Sequence, residues 1–283
     1  MRTIIEIKDL KKRYGDGTVA LKGVNLNLTK RLTTVIGRNG AGKTTMMRIL
    51  STQLMPSSGK AVVDGLDVVR DAWMLRKKLV SIPQEASPMG FLTPMEHLKT
   101  YLIARGSTMG QAAKDAENAL RTLELWDARN TPADELSGGM KRKIFVAMAL
   151  AANAEVVFLD EPTTGLDPLS RLEVWSAVKM LKGTVVLTTH YMEEAQELSE
   201  EIAMVDHGEC IGFGTVQSLL KKFRGMVRAE TGADGAKGRY TIGNTKIRYV
   251  KLRDAEHYVD EGYTIKPITL EDLFVIRGVE LES

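Results

Sequence analysis

Gly37-Arg38-Asn39-Gly40-Ala41-Gly42-Lys43-Thr44-Thr45 decides the fold. It satisfies the pattern G-x-x-x-x-G-K-[ST], between the apolar run Leu32–Ile36 and the stretch Thr45–Leu50 that reads as a helix. Glycines without side chains let successive backbone N–H groups turn inward around phosphate oxygens. The following helix adds the positive end of its dipole. On this reading Lys43 bridges the two outer phosphates of a nucleotide, and Thr44 offers a hydroxyl to Mg²⁺, an ion that takes hard oxygen donors.

A second site follows the apolar run Val156–Leu159, at Asp160-Glu161-Pro162. The C-terminal ends of parallel strands open into the ligand crevice, so Asp160 can face the Mg²⁺ held by Thr44. Glu161 can then reach a water in line with the outermost phosphate, orient it and accept its proton. Alone, the pair would read as two solvated acids. The third site is Leu136-Ser137-Gly138-Gly139-Met140, where a helix opens on two glycines followed by Lys141-Arg142-Lys143 with no acid in its first turn. Ser137 and the free N–H groups of Gly138 and Gly139 suit an anion, although a plain serine N-cap explains Ser137 equally well.

The rest of the chain fits around these sites. Its 283 residues allow one large α/β domain and a small appendage, and a net charge of +3 gives no reason to expect nucleic acid. Cys210 is the only cysteine, so an intrachain disulfide is excluded; its ordinary role is that of a small buried hydrophobe. The N-terminal residues alternate like a strand and lack the apolar block of a signal peptide, which places the chain inside the cell. The longest apolar stretch, Ile144–Leu159, is broken by Asn153 and Glu155 and is too short to span a membrane. Any membrane spans must therefore come from another chain.

Residues 3–8 and 21–28 alternate with period two around the turn Tyr14–Gly17, which predicts an antiparallel sheet. Short strands are expected at 61–63, 79–82, 156–159, 184–189 and 202–205, with helices at about 140, 171–181 and 192–199. Residues 85–135 read as a helical insert. Beyond Thr215 the pattern loosens around the Gly-rich stretch 232–238, followed by strands at 239–242 and 246–252 and a helix through Thr269–Phe274.

Taken together, the motifs resemble the nucleotide-binding subunit of an ATP-binding cassette (ABC) transporter over residues 3–215. The resemblance implies an α/β P-loop NTPase with a mixed sheet core, an antiparallel β subdomain, a helical insert and a small α+β C-terminal tail. Its divisions would be residues 1–84 (first part of the core), 85–145 (helical insert with the signature motif), 146–215 (second part of the core) and 216–283 (tail). It also implies ATP and Mg²⁺ as ligands and ATP hydrolysis as the activity. Leu136–Gly139 corresponds to the signature motif. Tyr14 matches the aromatic that stacks on adenine, where the residue alone would read as a packed turn tyrosine. Gln84 matches the residue that senses Mg²⁺ and the attacking water, Asp167 the loop that communicates across the dimer, and His190 the switch histidine that contacts the γ-phosphate. Among the family's catalytic residues would be Lys43, Gln84, Glu161 and His190, with Asp160 reaching Mg²⁺ through water. His97, His207 and His257 receive no role. Met140 departs from the usual Gln and cannot donate a hydrogen bond there.

The family further implies ATP sandwiched between one subunit's phosphate loop and another's signature, in a homodimer or a heterodimer with a similar subunit. Such a pair would sit at the cytoplasmic face of the cell membrane and drive a permease from another chain. The runs Thr188–Ala195 and Leu270–Phe274 resemble exporters of drugs, antibiotics or lipids more than importers. The rival readings are an importer ATPase, a non-hydrolysing regulator, which Glu161 argues against, and a soluble cassette ATPase working on ribosomes or DNA. A single cassette whose insert lacks sustained heptads argues against the last.

Overall fold

The computed structural model describes residues 4–232, 239–242 and 244–282. The expected strand start at Thr3, and residues 233–238 of the Gly-rich stretch, lie outside the described residues. The chain divides between Phe213 and Gly214 into two compact units.

In the first unit β1 (Ile5–Arg13) and β2 (Val19–Leu28) pair antiparallel across the predicted turn. Ile5 and Ile7 of β1 and Val24, Leu26 and Leu28 of β2 are buried while the residues between them are exposed or half-buried, as period two requires, and irregular register interrupts the alternation elsewhere in the pair. Next come β3 (Leu32–Ile36), the phosphate loop, α1 (Lys43–Leu50), β4 (Ser58–Val63), β5 (Leu66–Asp67), α2 (Ala72–Lys78) and β6 (Leu79–Ile82). Strands β2-β1-β4-β5 form one sheet.

The helical layer contains α3 (Pro94–Ala104), α4 (Met109–Thr122) and α5 (Gly138–Ala151). Within the expected helical insert, residues 85–92 form turns and irregular chain, where Pro88 and Gly90 interrupt any helix. Helix begins only where Thr93 and Glu96 build a reciprocal capping box with Pro94 in the first turn. Ala112, Ala116, Ala119 and Leu120 of α4 pack with Leu98, Leu102, Ile144 and Ala147 in one buried cluster.

The chain continues through β7 (Val156–Asp160), α6 (Pro168–Lys179), β8 (Thr184–Thr189), α7 (Met192–Leu198), β9 (Glu201–Asp206) and β10 (Glu209–Gly214). The central sheet runs β10-β9-β3-β8-β7-β6, and β9, β3, β8, β7 and β6 are mutually parallel. Its register places Ile36 opposite Thr189 and Asp160 opposite Thr188. The residues that follow these strands (Gly37, Glu161 and His190) therefore emerge along one edge, where strand order reverses around β3.

The second unit contains α8 (Val216–Leu219), β11 (Met226–Thr231), β12 (Tyr240–Ile242), β13 (Thr245–Lys251), α9 (Ala255–Asp260), β14 (Thr264–Lys266) and α10 (Glu271–Glu282). Its sheet, β12-β13-β11-β14, is antiparallel throughout. Phe223, Tyr240, Ile247 and Ile276 form one small core and Ala229, Val250 and Tyr263 another. Sequence patterning leaves out β5, α2, β10, α8, β11, α9 and β14, which are either short or irregular in polarity.

Candidate functional site

The phosphate loop is shaped by close backbone approach. A Cβ on Gly37 would meet the Val205 carbonyl oxygen at 2.2 Å, and one on Gly42, at φ +103°, would meet the Ala20 carbonyl oxygen at 2.5 Å. Only glycine fits either position. Gly42 is the N-cap of α1 and contributes no side-chain cap, and the helix carries no acid in its first turn. The first-turn N–H groups thus lack a side-chain acceptor of their own and can serve an anion. Arg38, Asn39, Gly40 and Ala41 complete the loop. The buried Lys43 Nζ donates to the carbonyls of Gly37 (2.8 Å) and Arg38 (3.2 Å), and it lies 3.3 Å from Glu161 Oε1.

Glu161 is the hub. Its backbone is left-handed at φ +46°, a conformation unusual for a side-chain-bearing residue. Thr188 holds it there, since the Glu161 N–H points to both Thr188 Oγ1 (2.9 Å) and the Thr188 carbonyl (3.1 Å). Its Oε2 accepts from Thr164 Oγ1 at 3.0 Å and from His190 Nδ1 at 3.0 Å. The Thr188 hydroxyl donates in turn to Asp160 Oδ1, tying the adjacent acids together. The cleft above, about 670 Å³, is lined by Tyr14, Lys43, Thr44, Gln84, Glu161 and His190 among others. Tyr14 hydrogen-bonds Thr45 across 3.1 Å, which anchors the ring at the mouth of the loop.

Ser137 caps α5, its Oγ accepting from the Met140 N–H at 3.2 Å. Ser137 and Gly138 are exposed, whereas Gly139 is packed so closely that a Cβ would meet Ser170 Cβ at 2.8 Å. The basic triplet that follows is committed elsewhere. Lys141 donates to the Asp134 carbonyl, the buried Lys143 pairs with Glu173, and Arg142 donates to the carbonyls of Gln84 (2.8 Å) and Ala86 (3.2 Å). Burial pulls the Arg142 pKa below its ordinary value. Met140 packs against the helical core, which explains an apolar residue in that place. Asp167 is the exposed N-cap of α6, accepting from the N–H groups of Leu169 and Ser170, and its bonds with Ser170 hold its carboxyl below the usual range.

Residues 21–164 match the ABC transporter family. Over 236 residues the chain is also 40% identical to the daunorubicin resistance ATP-binding protein DrrA3 of Streptomyces coeruleorubidus, covering 82% of this chain and 72% of that one. The chain belongs to the ABC transporter family. This ABC protein is 37% identical over 225 residues to the phospholipid-transporting ATPase ABCA3 of Rattus norvegicus; the match covers 77% of the chain but spans only 13% of that relative's length. In structure it resembles a post-hydrolysis dimer of an ATP-binding cassette bound to ADP and Pi, with TM-score 0.66 and 27% identity over 75% of this chain and 98% of that one. It is an ATP-binding subunit of a family that hydrolyses ATP, and no helix among its described residues is long and apolar enough to cross a membrane.

The residues of this ABC ATPase fit the expected ligands. The glycine cradle and uncapped α1 suit phosphate oxygens. Thr44, half-buried at the cleft, and Asp160, at the end of β7, are hard oxygen donors of the kind Mg²⁺ takes. Thr164, Thr188 and Arg142 escape sequence reasoning, since a threonine or arginine shows its partner only after folding. His97 also acquires a place: Met89 N–H donates to its Nε2 at 2.9 Å, so Nδ1 carries the proton and donates to the Thr93 carbonyl at 3.0 Å. That makes it a structural pin of the loop before α3. The Cys210 thiol is half-buried, and burial pushes its pKa up, as befits an inert side chain.

Proposed function

We propose that this chain is one half of a pair of ATPase subunits that closes head to tail on ATP and Mg²⁺ and drives a separate membrane permease. The observation carrying this reading is the position of the signature residues. Ser137 and Gly138 are exposed at the N-terminus of α5 and do not line the cleft that holds the phosphate loop. A γ-phosphate receptor placed apart from the chain's own nucleotide cleft serves the cleft of a second subunit. One chain bearing both halves gives two equal sites in a two-fold pair, and a similar ATPase subunit could take the second place.

In each site the triphosphate lies in the amide cradle of residues 37–42, with the adenine on Tyr14. Lys43 turns from Glu161 to the phosphate oxygens and frees that carboxylate. Glu161 then orients a water in line with the γ-phosphorus and takes its proton as the new P–O bond forms. The bond to the β–γ bridging oxygen breaks, and ADP leaves with its electron pair. His190 hydrogen-bonds the γ-phosphate, and Gln84 lies beside the attacking water. Thr44, Gln84 and Asp160, the last through water, would hold Mg²⁺, which would supply positive charge to offset that of the phosphates. Asp167 carries the closure signal between subunits.

Export of drugs, antibiotics or lipids is the direction favoured by the Thr188–Ala195 and Leu270–Phe274 runs and by the drug-resistance and phospholipid-transporting relatives. The pair would work at the cytoplasmic face of the membrane. The test is a pull-down from native cells with ATP-loaded Glu161→Gln protein as bait, followed by mass spectrometry after detergent extraction. Recovery of a polytopic membrane protein is expected. Ribosomal or DNA-repair proteins without any membrane protein would overturn the transporter reading. The same variant should bind ATP yet hydrolyse it about 10²–10⁴-fold more slowly, trapping the closed pair; turnover at the parent rate would remove Glu161 from its role.

A further inference from the structure

Glu194, on α7 four residues after His190, is fully buried, and the chemistry above makes no direct use of it. Its Oε1 accepts from Thr163 Oγ1 at 2.8 Å and from Trp175 Nε1 at 2.9 Å, while its Oε2 is buried without a hydrogen-bond partner. The Thr189 side chain and the charge of Arg171 also favour the ionised form of the carboxyl. Burial pushes this carboxyl above the usual range, and those four neighbours pull the other way. Its hydrogen bonds thus join the turn after β7, helix α6 and α7 itself.

The partners sit in telling positions. Thr164 follows Thr163, and His190 just precedes the helix that carries Glu194; Thr164 and His190 are the two groups that hydrogen-bond Glu161 Oε2. The same helices meet again where Arg171 lies 4.3 Å from the Tyr191 ring, which packs 4.1 Å from the His190 ring. An apolar side chain of similar volume would fill the space without an unpartnered oxygen, so packing alone does not account for a carboxyl here.

We propose that Glu194 is a positioning residue for ATP hydrolysis: by clamping Thr163, and by tying to Trp175 the helix that follows His190, it holds Thr164 and His190 against Glu161 and fixes the orientation of that carboxylate. The inference rests on the reading of Glu161 as the base. Fixing a reacting group in one orientation raises turnover and leaves nucleotide binding largely untouched.

The test is steady-state ATPase of the purified full-length chain over a range of ATP concentrations, with thermal melting as the folding control. Glu194→Ala is expected to lower kcat by about 10- to 100-fold with KM changed less than about 3-fold. Glu194→Gln, whose amide oxygen accepts the same two hydrogen bonds, should keep kcat within about 3-fold of the parent. Thr163→Val removes one donor at nearly constant shape and should give an intermediate loss. Combined with Glu194→Ala it should add nothing further, as expected of two residues acting through one contact. If Glu194→Ala does not fold, Thr163→Val and Glu194→Gln decide. Parental kcat in Glu194→Ala or Thr163→Val, an equal loss in Glu194→Gln and Glu194→Ala, or a loss carried by KM would overturn the clamp. Glu161→Gln is assayed alongside. If that variant is inactive while Glu194→Ala is unimpaired, only the clamp falls; if it is fully active, the underlying assignment of the base falls.

Discussion

Lys43 and Glu161 face each other with their side chains almost wholly buried, and neither can be removed without consequence for the other. Truncating Lys43 takes away the cation proposed to meet the phosphates and strands a buried carboxylate as well. Lys43→Ala is accordingly expected to weaken ATP binding by about 10- to 100-fold, since a charge-assisted hydrogen bond contributes roughly 1.5–3 kcal/mol. Equilibrium titration with a fluorescent ATP analogue measures this directly, and unchanged affinity would refute the assigned role of Lys43. The positions of these residues, though not their partners, are legible in the sequence. Asp160, Glu161 and His190 stand at strand ends whose positions follow from local apolar runs, so strand register brings them to one edge, and Lys43 opens the helix after the loop that follows β3. Thr188 is different, because its hydroxyl binds the Asp160 carboxyl and the Glu161 N–H only once β7 and β8 lie side by side.

Among the elements, α5 is the most informative. Its N-terminus displays Ser137 and Gly138, while its first turns grip the loop after β6 through Arg142, which bonds to the Gln84 carbonyl 58 residues earlier in the chain. Any movement of the Gln84 loop is therefore shared with the signature helix. Ser137→Arg places a bulky cation at the exposed end of this helix without touching the cleft. ATP binding by the monomer should stay within about 3-fold of the parent, whereas ATP-driven dimerisation, read by light scattering, should be lost. Dimerisation at unchanged affinity would rule out the sandwich. The helix was legible from its glycines and apolar spacing; its hold on Gln84 was not, because an arginine in a basic triplet looks the same whether it meets solvent, an anion or a carbonyl. The short strands β10, β11 and β14 were missed for a related reason. In β11 most positions are half-buried, so period two leaves little contrast.

At the scale of the molecule, each of the two units has its own core, and their responses to acid should differ. In the second unit Glu230 of β11 is bonded to Lys266 of β14 and paired with Arg228, and the bond to Lys266 holds its carboxyl below the ordinary value of 4.5. A carboxyl whose folded pKa is depressed adds stability that is complete above its unfolded value and is lost as pH falls through the folded one. Hydrogen exchange in β11 and β14, corrected for intrinsic rates, should therefore accelerate below about pH 4.5, and Glu230→Gln should remove that pH dependence. Equal pH dependence in the variant would show that other groups govern the tail. In the first unit, the left-handed backbone of Glu161 sets a different kind of limit. Aspartate tolerates that conformation better and would keep the negative charge, but it is one methylene shorter. The turn dictates the backbone and the proposed role as base dictates the reach, and glutamate satisfies the second at the expense of the first. Breeding this protein for heat resistance alone would thus favour Glu161→Asp, and the sturdier molecule would be the slower engine.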